Sequence, residues 1–301
     1  MQSEAETTNP HNKISEAPPK VSEARYIFRV MFSRWVVVLG AVIIVVMIVS
    51  AIFAPQIAPY PPNEQNLSIA LQQPSGAHLL GTDPLGRDIL SRIIYGSRVS
   101  LMIGIVAVGI ASFIGMLLGL IAGYFGKLVN NVIMRFMDAM MSIPPLVMAL
   151  VLATAFGNGL LNVMLALGIA VVPGYCRLMC GQVLSIKESD YLTAAHIVGT
   201  KDVSIMLRHV LPNAFPPLLV LITLNIGTMI LSEAGLSFLG VGVIPPTATW
   251  GSMVSKGYPY LFTNPLLSFA PGIAVILVVL AFNLVGDGFR DALDPRLRGT
   301  L

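Results

Sequence analysis

Two cysteines, Cys176 and Cys180, are the first candidates for chemistry, because thiolates bind metals and exchange disulfides. They lie four residues apart, which is about one turn of a helix. A metal centre needs further ligands, and the nearest histidine, His196, is sixteen residues beyond Cys180. We therefore predict two ordinary helix residues and no metal site.

The sequence lacks the common motifs for phosphate binding and hydrolysis. Residues 123–127 do not have the Gly-x-x-x-x-Gly-Lys-Ser/Thr spacing that cradles a nucleotide phosphate. A zinc-binding His-Glu pattern and a Gly-x-Ser-x-Gly nucleophile elbow are also missing from the sequence. We predict no catalytic residues, so any nucleotide hydrolysis that this protein uses must occur on another chain.

Glu233 is the acidic residue placed inside a long apolar segment. Ionised side chains are costly at membrane depth and usually face a bundle interior, a cavity or a partner. Glu233 and Ser237 could line a transport pathway or gate, or Glu233 could be a structural acid that bonds a neighbouring helix. Trp250 could anchor the chain at the water–lipid interface, or it could belong to an outer gate or to a docking surface for an external protein. For Glu233 and for Trp250, the sequence does not choose between these interpretations.

The composition places these residues in a membrane protein. The 301 residues have a mean hydropathy of +0.80, and only 11% are charged, against about 25% in soluble domains. So few charges cannot cover a water-exposed surface, and a lipid bilayer is the expected surrounding. The net charge of +3 gives no indication of a nucleic-acid partner.

Long gaps between charged residues predict where the chain crosses the bilayer. Roughly 20 apolar residues in a helix cross the hydrocarbon core, and loops there would leave backbone groups unpaired. Residues 157–159, Gly-Asn-Gly, indicate a tight turn between two crossings. We predict an all-α polytopic membrane protein with six transmembrane helices, at about 35–55, 99–124, 140–157, 160–177, 214–240 and 266–286.

Basic residues predict the orientation. With a cytoplasmic N-terminus, fourteen of the 18 lysines and arginines lie inside, as the positive-inside rule expects. The four outside are Arg87, Arg92, Arg98 and Lys256. Both termini, a polar and disordered tail at 1–34 and a tail at 287–301, are then cytoplasmic, and the first helix is an uncleaved anchor.

The outside segment 56–98 is too long for a simple connector. Asp88 is placed to cap a helix through Arg98, which we predict to lie at the outer interface. This helix is either a solvated surface element or a docking surface for an external partner.

Small residues recur every four positions in the second span, at Ala111, Gly115, Gly119 and Gly123. Because lipid offers no hydrophobic drive for association, such spacing allows close helix packing. We predict helix contact here within a five-helix core, residues 99–286.

Residues 189–212 form the predicted coupling loop. A helix that starts at Ser189 should end at Gly199, and a second should open at Thr200 and end before Leu211. Two short helices between spans make either a rigid knob that transmits force from a soluble partner or an ordinary linker.

This loop resembles the EAA loop of ABC importer permeases, which reads Glu-Ala-Ala, three residues, Gly, nine residues, Ile-x-Leu-Pro. The sequence departs from that pattern at Thr193, where the pattern has Glu, and at His209, where it has Ile. In that family the loop sits in a groove of the cytoplasmic ATPase. The resemblance implies a coupling role for Thr193, Ala194, Ala195, Gly199, Lys201, Asp202, His209, Leu211 and Pro212.

Four further segments are similar to the second permease chain of dipeptide, oligopeptide and nickel importers. They are 80–88, 233–240, 245–251 and 286–296. The resemblance implies a type I permease core in a bacterial or archaeal cytoplasmic membrane, paired with a homologous permease. It also implies two cytoplasmic ABC ATPases that bind ATP and Mg²⁺, an extracytoplasmic substrate-binding protein, and no cofactor in this chain.

No single motif identifies the cargo or excludes a different transport mechanism. Peptides are expected because they are frequent cargo in the family, with nickel or another small solute as the alternative. An ion-coupled secondary transporter would carry ion sites at broken helices related by internal repeats. Apart from Glu233 the spans lack ionisable residues, and the sequence has no evident repeat.

Overall fold

The computed structural model describes residues 30–293, and these residues form a helical bundle without β-strands. Most of the predicted tail 1–34 and residues 294–301 lie outside the described part of the chain. Numbered in chain order, the helices are α1 Trp35–Ile52, α2 Ala54–Ile57, α3 Ile89–Phe125, α4 Lys127–Met141, α5 Pro145–Phe156, α6 Leu160–Lys187, α7 Asp190–Ile197, α8 Asp202–Ile205, α9 Leu211–Phe238, α10 Trp250–Gly257 and α11 Leu266–Leu293.

Five helical segments are long and apolar enough to cross a membrane: α1, α3, α6, α8 with α9, and α11. A sixth crossing exists if α4 and α5 count as one span, which bends by 90°. The predicted span at 140–157 corresponds to α5 and the end of α4, with the break at the prolines. Pro145 opens α5 after a break that follows Met141, because proline lacks the N–H that continues a helix.

The predicted helix does not end at Arg98, because α3 continues without a break to Phe125. Its position at the outer interface stays a prediction. The Arg98 guanidinium donates to the carbonyls of Ala51 and Ile52 at the end of α1. The cap is confirmed: the Asp88 carboxylate accepts a hydrogen bond of 2.7 Å from the Ser91 backbone N–H.

Several helices also run beyond the predicted spans. Helix α6 continues to Lys187, and α11 continues to Leu293, so the tail predicted from 287 begins as helix. An ion pair joins Arg34, before α1, to Asp291 near the end of α11. Charged residues mark where a chain leaves the hydrocarbon, but a helix continues beyond that point when its side chains find partners.

Helices α3 and α6 form the centre of the bundle, and the small-residue stripe of α3 faces α6. A Cβ added at Gly119 would lie 2.3 Å from the Cys176 carbonyl oxygen, and one at Gly123 would lie 2.7 Å from the Val183 Cβ. Ala111 and Gly115 lie in the same stripe and are buried. The two backbones are therefore in direct contact, and Cys176 is buried between them as a free thiol.

The bundle has two distinct ends. The insert end carries residues 53–88, the turn between α5 and α6, and α10; the loop end carries the coupling loop and the ends of α3 and α11. The insert covers the turn before α11, where the Asn264 amide donates to the Leu71 carbonyl at 2.8 Å and accepts from Gln73 at 3.0 Å.

Candidate functional site

The first helix of the coupling loop ends as predicted. Gly199 has φ of +79°, a conformation that glycine adopts without the steric cost other residues meet. Its N–H donates to the His196 carbonyl at 2.9 Å, and the Thr200 N–H donates to the Ala195 carbonyl at 3.1 Å. These two bonds close the end of α7 and set the direction of the chain beyond it.

The second helix does not end before Leu211, so that prediction is wrong. Helix α8 passes through a π-helical turn, Met206–Val210, directly into α9. Pro212 lies in the first turn of α9, where its missing N–H is tolerated. The helix ladder is therefore rearranged ahead of the proline and is not terminated. The coupling loop continues into a membrane-crossing helix without a flexible joint.

The coupling loop has a buried side and an exposed apolar tip. Leu192, Ile205 and Val210 are buried in the bundle, whereas Ile197 and Val198 are each 82% exposed. Other exposed members are Thr193, Ala194, Lys201, Asp202 and Pro212, while His209, Leu211 and Ala195 are half-buried. Clustered exposed apolar residues indicate a surface that contacts another protein or the membrane.

Two residues that sequence reasoning missed hold α3 to its neighbours: Tyr124 of α3 bonds the coupling loop, and Lys187 at the end of α6 bonds α3. The Tyr124 hydroxyl donates to the Asp202 carboxylate at 2.6 Å, and the Lys187 ammonium donates to the Tyr124 carbonyl at 2.5 Å. Both contacts join segments that are far apart in sequence. Spacing along the chain therefore carried no signal for them.

Glu233, Ser237 and Thr249 form a buried polar cluster at the insert end. One Glu233 oxygen, Oε1, accepts from the Ser237 hydroxyl at 2.7 Å and from the Thr249 hydroxyl at 2.9 Å. Glu233 is 1% exposed, and its second oxygen has no hydrogen-bond partner among the described residues. The cluster joins α9 to the start of α10, where Thr249 also caps the helix. This geometry favours the structural interpretation of Glu233, and its role in a pathway or gate stays a prediction.

Gly251 allows the approach of these two helices. A Cβ at this position would lie 2.4 Å from the Ala234 Cα and 2.8 Å from the second Glu233 oxygen. Both values are below ordinary contact distances, so a glycine is needed there.

Trp250 is not an interfacial anchor, and that interpretation is wrong. Its side chain is completely buried. The indole Nε1–H donates to the Ile93 carbonyl at 3.0 Å, and its backbone N–H donates to the Ser100 hydroxyl at 3.1 Å. The indole N–H therefore has its hydrogen-bond acceptor inside the protein, on α3, and does not need the polar groups of the water–lipid boundary. Its assignment to a gate stays untested.

Replacing Glu233 tests whether the acid is structural. In Glu233→Gln the amide oxygen still accepts from Ser237 and Thr249, so we expect transport to remain near the wild-type rate across the active pH range. Glu233→Ala leaves both hydroxyls without this acceptor and should lower the unfolding free energy by about 1–3 kcal/mol. Transport assays and thermal unfolding measure the two effects. A Gln variant that folds normally but transports poorly would favour a pathway role.

Comparison with known proteins covers nearly the whole chain. Residues 115–299 match a family model described as "Binding-protein-dependent transport system inner membrane component". Residues 22–74 match the "N-terminal TM domain of oligopeptide transport permease C". The two matches leave out residues 75–114, which hold the end of the insert and about the first two-thirds of α3.

Individual relatives cover those residues too. The chain is 44% identical to the "Probable D,D-dipeptide transport system permease protein DdpC" of Escherichia coli K12, over 87% of this chain and 88% of the relative. It is 43% identical to the "Di/tripeptide transport system permease protein DppC" of Pseudomonas aeruginosa, over 86% and 88%. The "Glutathione transport system permease protein GsiD" of Pectobacterium atrosepticum is 38% identical over 91% of each chain.

A solved structure shares the fold. A chain from inward-facing conformations of the MetNI methionine ABC transporter superposes with a TM-score of 0.56 at 18% identity. The match covers 68% of this chain and 98% of that one. At this identity the likeness concerns the fold, and it agrees with the predicted ABC importer permease core.

Proposed function

The chain belongs to the binding-protein-dependent transport system inner membrane component family, and from this premise we propose that it is a pore-forming subunit of an ATP-driven peptide importer. It forms the translocation pore with a homologous permease chain. Two cytoplasmic ATPases bind ATP and Mg²⁺, so this chain is not itself an enzyme and holds no cofactor. An extracytoplasmic binding protein delivers the cargo.

Di- or oligopeptides are the proposed cargo because the similar permeases include a D,D-dipeptide and a di/tripeptide transport protein. The loop end is proposed to face the cytoplasm, since most lysines and arginines lie in the segments assigned to that side. The insert end then receives the binding protein, and both termini are cytoplasmic.

The attachment of the coupling loop is the observation that carries this proposal. Its exposed apolar tip, with Ile197 and Val198, suits a groove on an ATPase. Behind the tip, α7 follows α6 closely, α8 continues into α9, and Asp202 bonds Tyr124 of α3. A displacement of the tip therefore reaches three membrane-crossing helices together, as a rigid-body rearrangement of the bundle requires.

Substituting Gly199 tests the coupling role. In Gly199→Leu a side chain must adopt the left-handed conformation at a strain of about 1–2 kcal/mol, which displaces the end of α7. We expect peptide transported per ATP hydrolysed to fall by roughly tenfold. The measurement is paired transport and ATPase assays on the complete complex in proteoliposomes.

Gly157 provides a matched control at the opposite end of the bundle. It has the same φ of +79°, and a Cβ at either glycine would meet nothing within 4 Å. Gly157→Leu should therefore carry similar strain while leaving transport per ATP near the wild-type value. Equal coupling losses in both variants would mean that the loop end has no special role.

The cargo is tested on the binding protein that works with this permease. A panel of dipeptides, longer peptides and Ni²⁺ is titrated first, and each ligand that binds is then tested for stimulation of ATPase activity in the complex. Stimulation by Ni²⁺ and not by peptides would replace the peptide proposal with the metal alternative.

A further inference from the structure

A cavity of about 360 Å³ lies at the insert end, between the insert and the starts of α3 and α11. Its walls are largely apolar, with Leu85, Ile89, Met253 and Leu267 among them. This volume falls within the range of about 300–1,000 Å³ that small-molecule sites occupy.

The lining of this cavity carries more positive than negative charge. It includes Arg87, Arg92 and Lys256, with Asp83 as the acid among its residues. Asp83 Oδ2 accepts from the Arg87 Nε at 2.7 Å and pairs with the Arg87 Nη2 at 2.6 Å. Asp83 is therefore occupied with Arg87, and it neutralises one of the three cations.

Hydrogen bonds hold the side chain of Arg92 in place. It is 2% exposed, and its Nη1 donates to the Pro62 carbonyl at 2.8 Å and to the Asn63 side chain at 3.2 Å. Its Nε lies 3.8 Å from Asp83 Oδ2. A buried guanidinium fixed by the backbone is ready to face a further anion without reorganising.

Lys256 has no hydrogen bond or ion pair within residues 30–293. Lys256 is exposed, but partial desolvation lowers the pKa of its ammonium; the charges of Arg92 and Arg87 lower that pKa further, and Asp83 raises it. Like charges thus act on Lys256 from across the cavity. An anion placed among the three cations would relieve this repulsion.

A second cavity of about 330 Å³ adjoins the first, and the two share Pro245 and Lys256. Its polar lining consists of Ser237, Ser252, Ser255 and Asn158. Hydroxyl and amide groups bond both the donors and the acceptors of a peptide backbone. Lys256 therefore stands between a cationic apolar cavity and one suited to peptide groups.

We propose that Lys256 and Arg92 bind the C-terminal carboxylate of a peptide at the insert end, with the adjoining cavity receiving its backbone. The apolar walls take the last side chain, and the two cations give charge-assisted hydrogen bonds to the carboxylate, while Arg87 stays paired with Asp83 beside them. The inference rests on the proposed peptide import, and it adds a binding site within this chain.

Binding of paired peptides to the complete permease–ATPase complex in nanodiscs, without binding protein, tests the site. The probe is an N-terminally labelled tripeptide with an apolar last residue, as the free acid and as the C-terminal amide. Fluorescence anisotropy should show the wild type binding the acid about tenfold more tightly. Lys256→Gln should remove this preference, and Lys256→Arg should retain it. Lys127→Gln, which changes an exposed lysine at the loop end, should match the wild type.

Each other outcome has a separate meaning. Equal binding of acid and amide by the wild type, or an unchanged preference in Lys256→Gln, overturns the proposal. Association of the Lys256→Gln complex with the peptide-free binding protein is measured separately. A variant that loses only this association also overturns the proposal, because Lys256 would then contact a carboxylate of the binding protein. A preserved acid preference in a complex that transports no peptide would instead refute the proposed function and leave the site standing.

Discussion

Trp250→Ala is expected to lower the free energy of unfolding by about 3–5 kcal/mol, the range for truncating a large buried aromatic side chain. The indole is completely buried and packs with Leu101 of α3, Ile230 of α9 and Val275 of α11. Its removal opens a cavity where three long helices meet and removes the indole hydrogen bond to the Ile93 carbonyl. Thermal or denaturant unfolding of the detergent-solubilised protein measures the loss.

The second tryptophan of the chain serves as the control. Trp35 begins α1 and is 75% exposed, so Trp35→Ala should change stability by less than about 0.5 kcal/mol. Trp250→Phe, which keeps an aromatic ring and removes the N–H, should fall between the two alanine variants. Similar losses for Trp35→Ala and Trp250→Ala would contradict the burial of Trp250 between these helices.

Gly119→Ala is expected to destabilise the protein by about 3 kcal/mol, at the upper end of the range for overpacked interiors. The added Cβ would lie 2.3 Å from the Cys176 carbonyl oxygen and 2.7 Å from the Met179 Cβ. Backbone atoms cannot move aside as a side-chain end can, so α3 and α6 must separate. The effect is read from thermal unfolding and from the yield of assembled complex.

Gly109 in the same helix makes the comparison specific. A Cβ there would meet nothing within 4 Å, so Gly109→Ala should be neutral or should stabilise the helix by up to about 1 kcal/mol. The two substitutions are chemically identical and differ only in what faces each position. Destabilisation of equal size at both positions would show that helix propensity, and not the contact with α6, controls the response.

The sequence alone was enough to predict the membrane-crossing helices and the motifs of the coupling loop. Charged groups are costly in hydrocarbon, so long segments without charged residues locate the crossings. This depends on local composition and not on how the helices pack. The spacing of the small residues in α3 predicted close packing, because residues four apart share a helix face. Gly199 was predicted to end α7 for a local reason, since its backbone conformation suits glycine.

The tertiary structure decided which partners these features meet. That α6 faces the small-residue stripe, that Asp202 bonds Tyr124, and that Trp250 is buried against α3 all depend on segments distant in sequence. The same holds for the grouping of Lys256 with Arg92 around one cavity. Periodicity along one helix reports which face is apolar, but the neighbour of that face follows from the packing of the whole bundle.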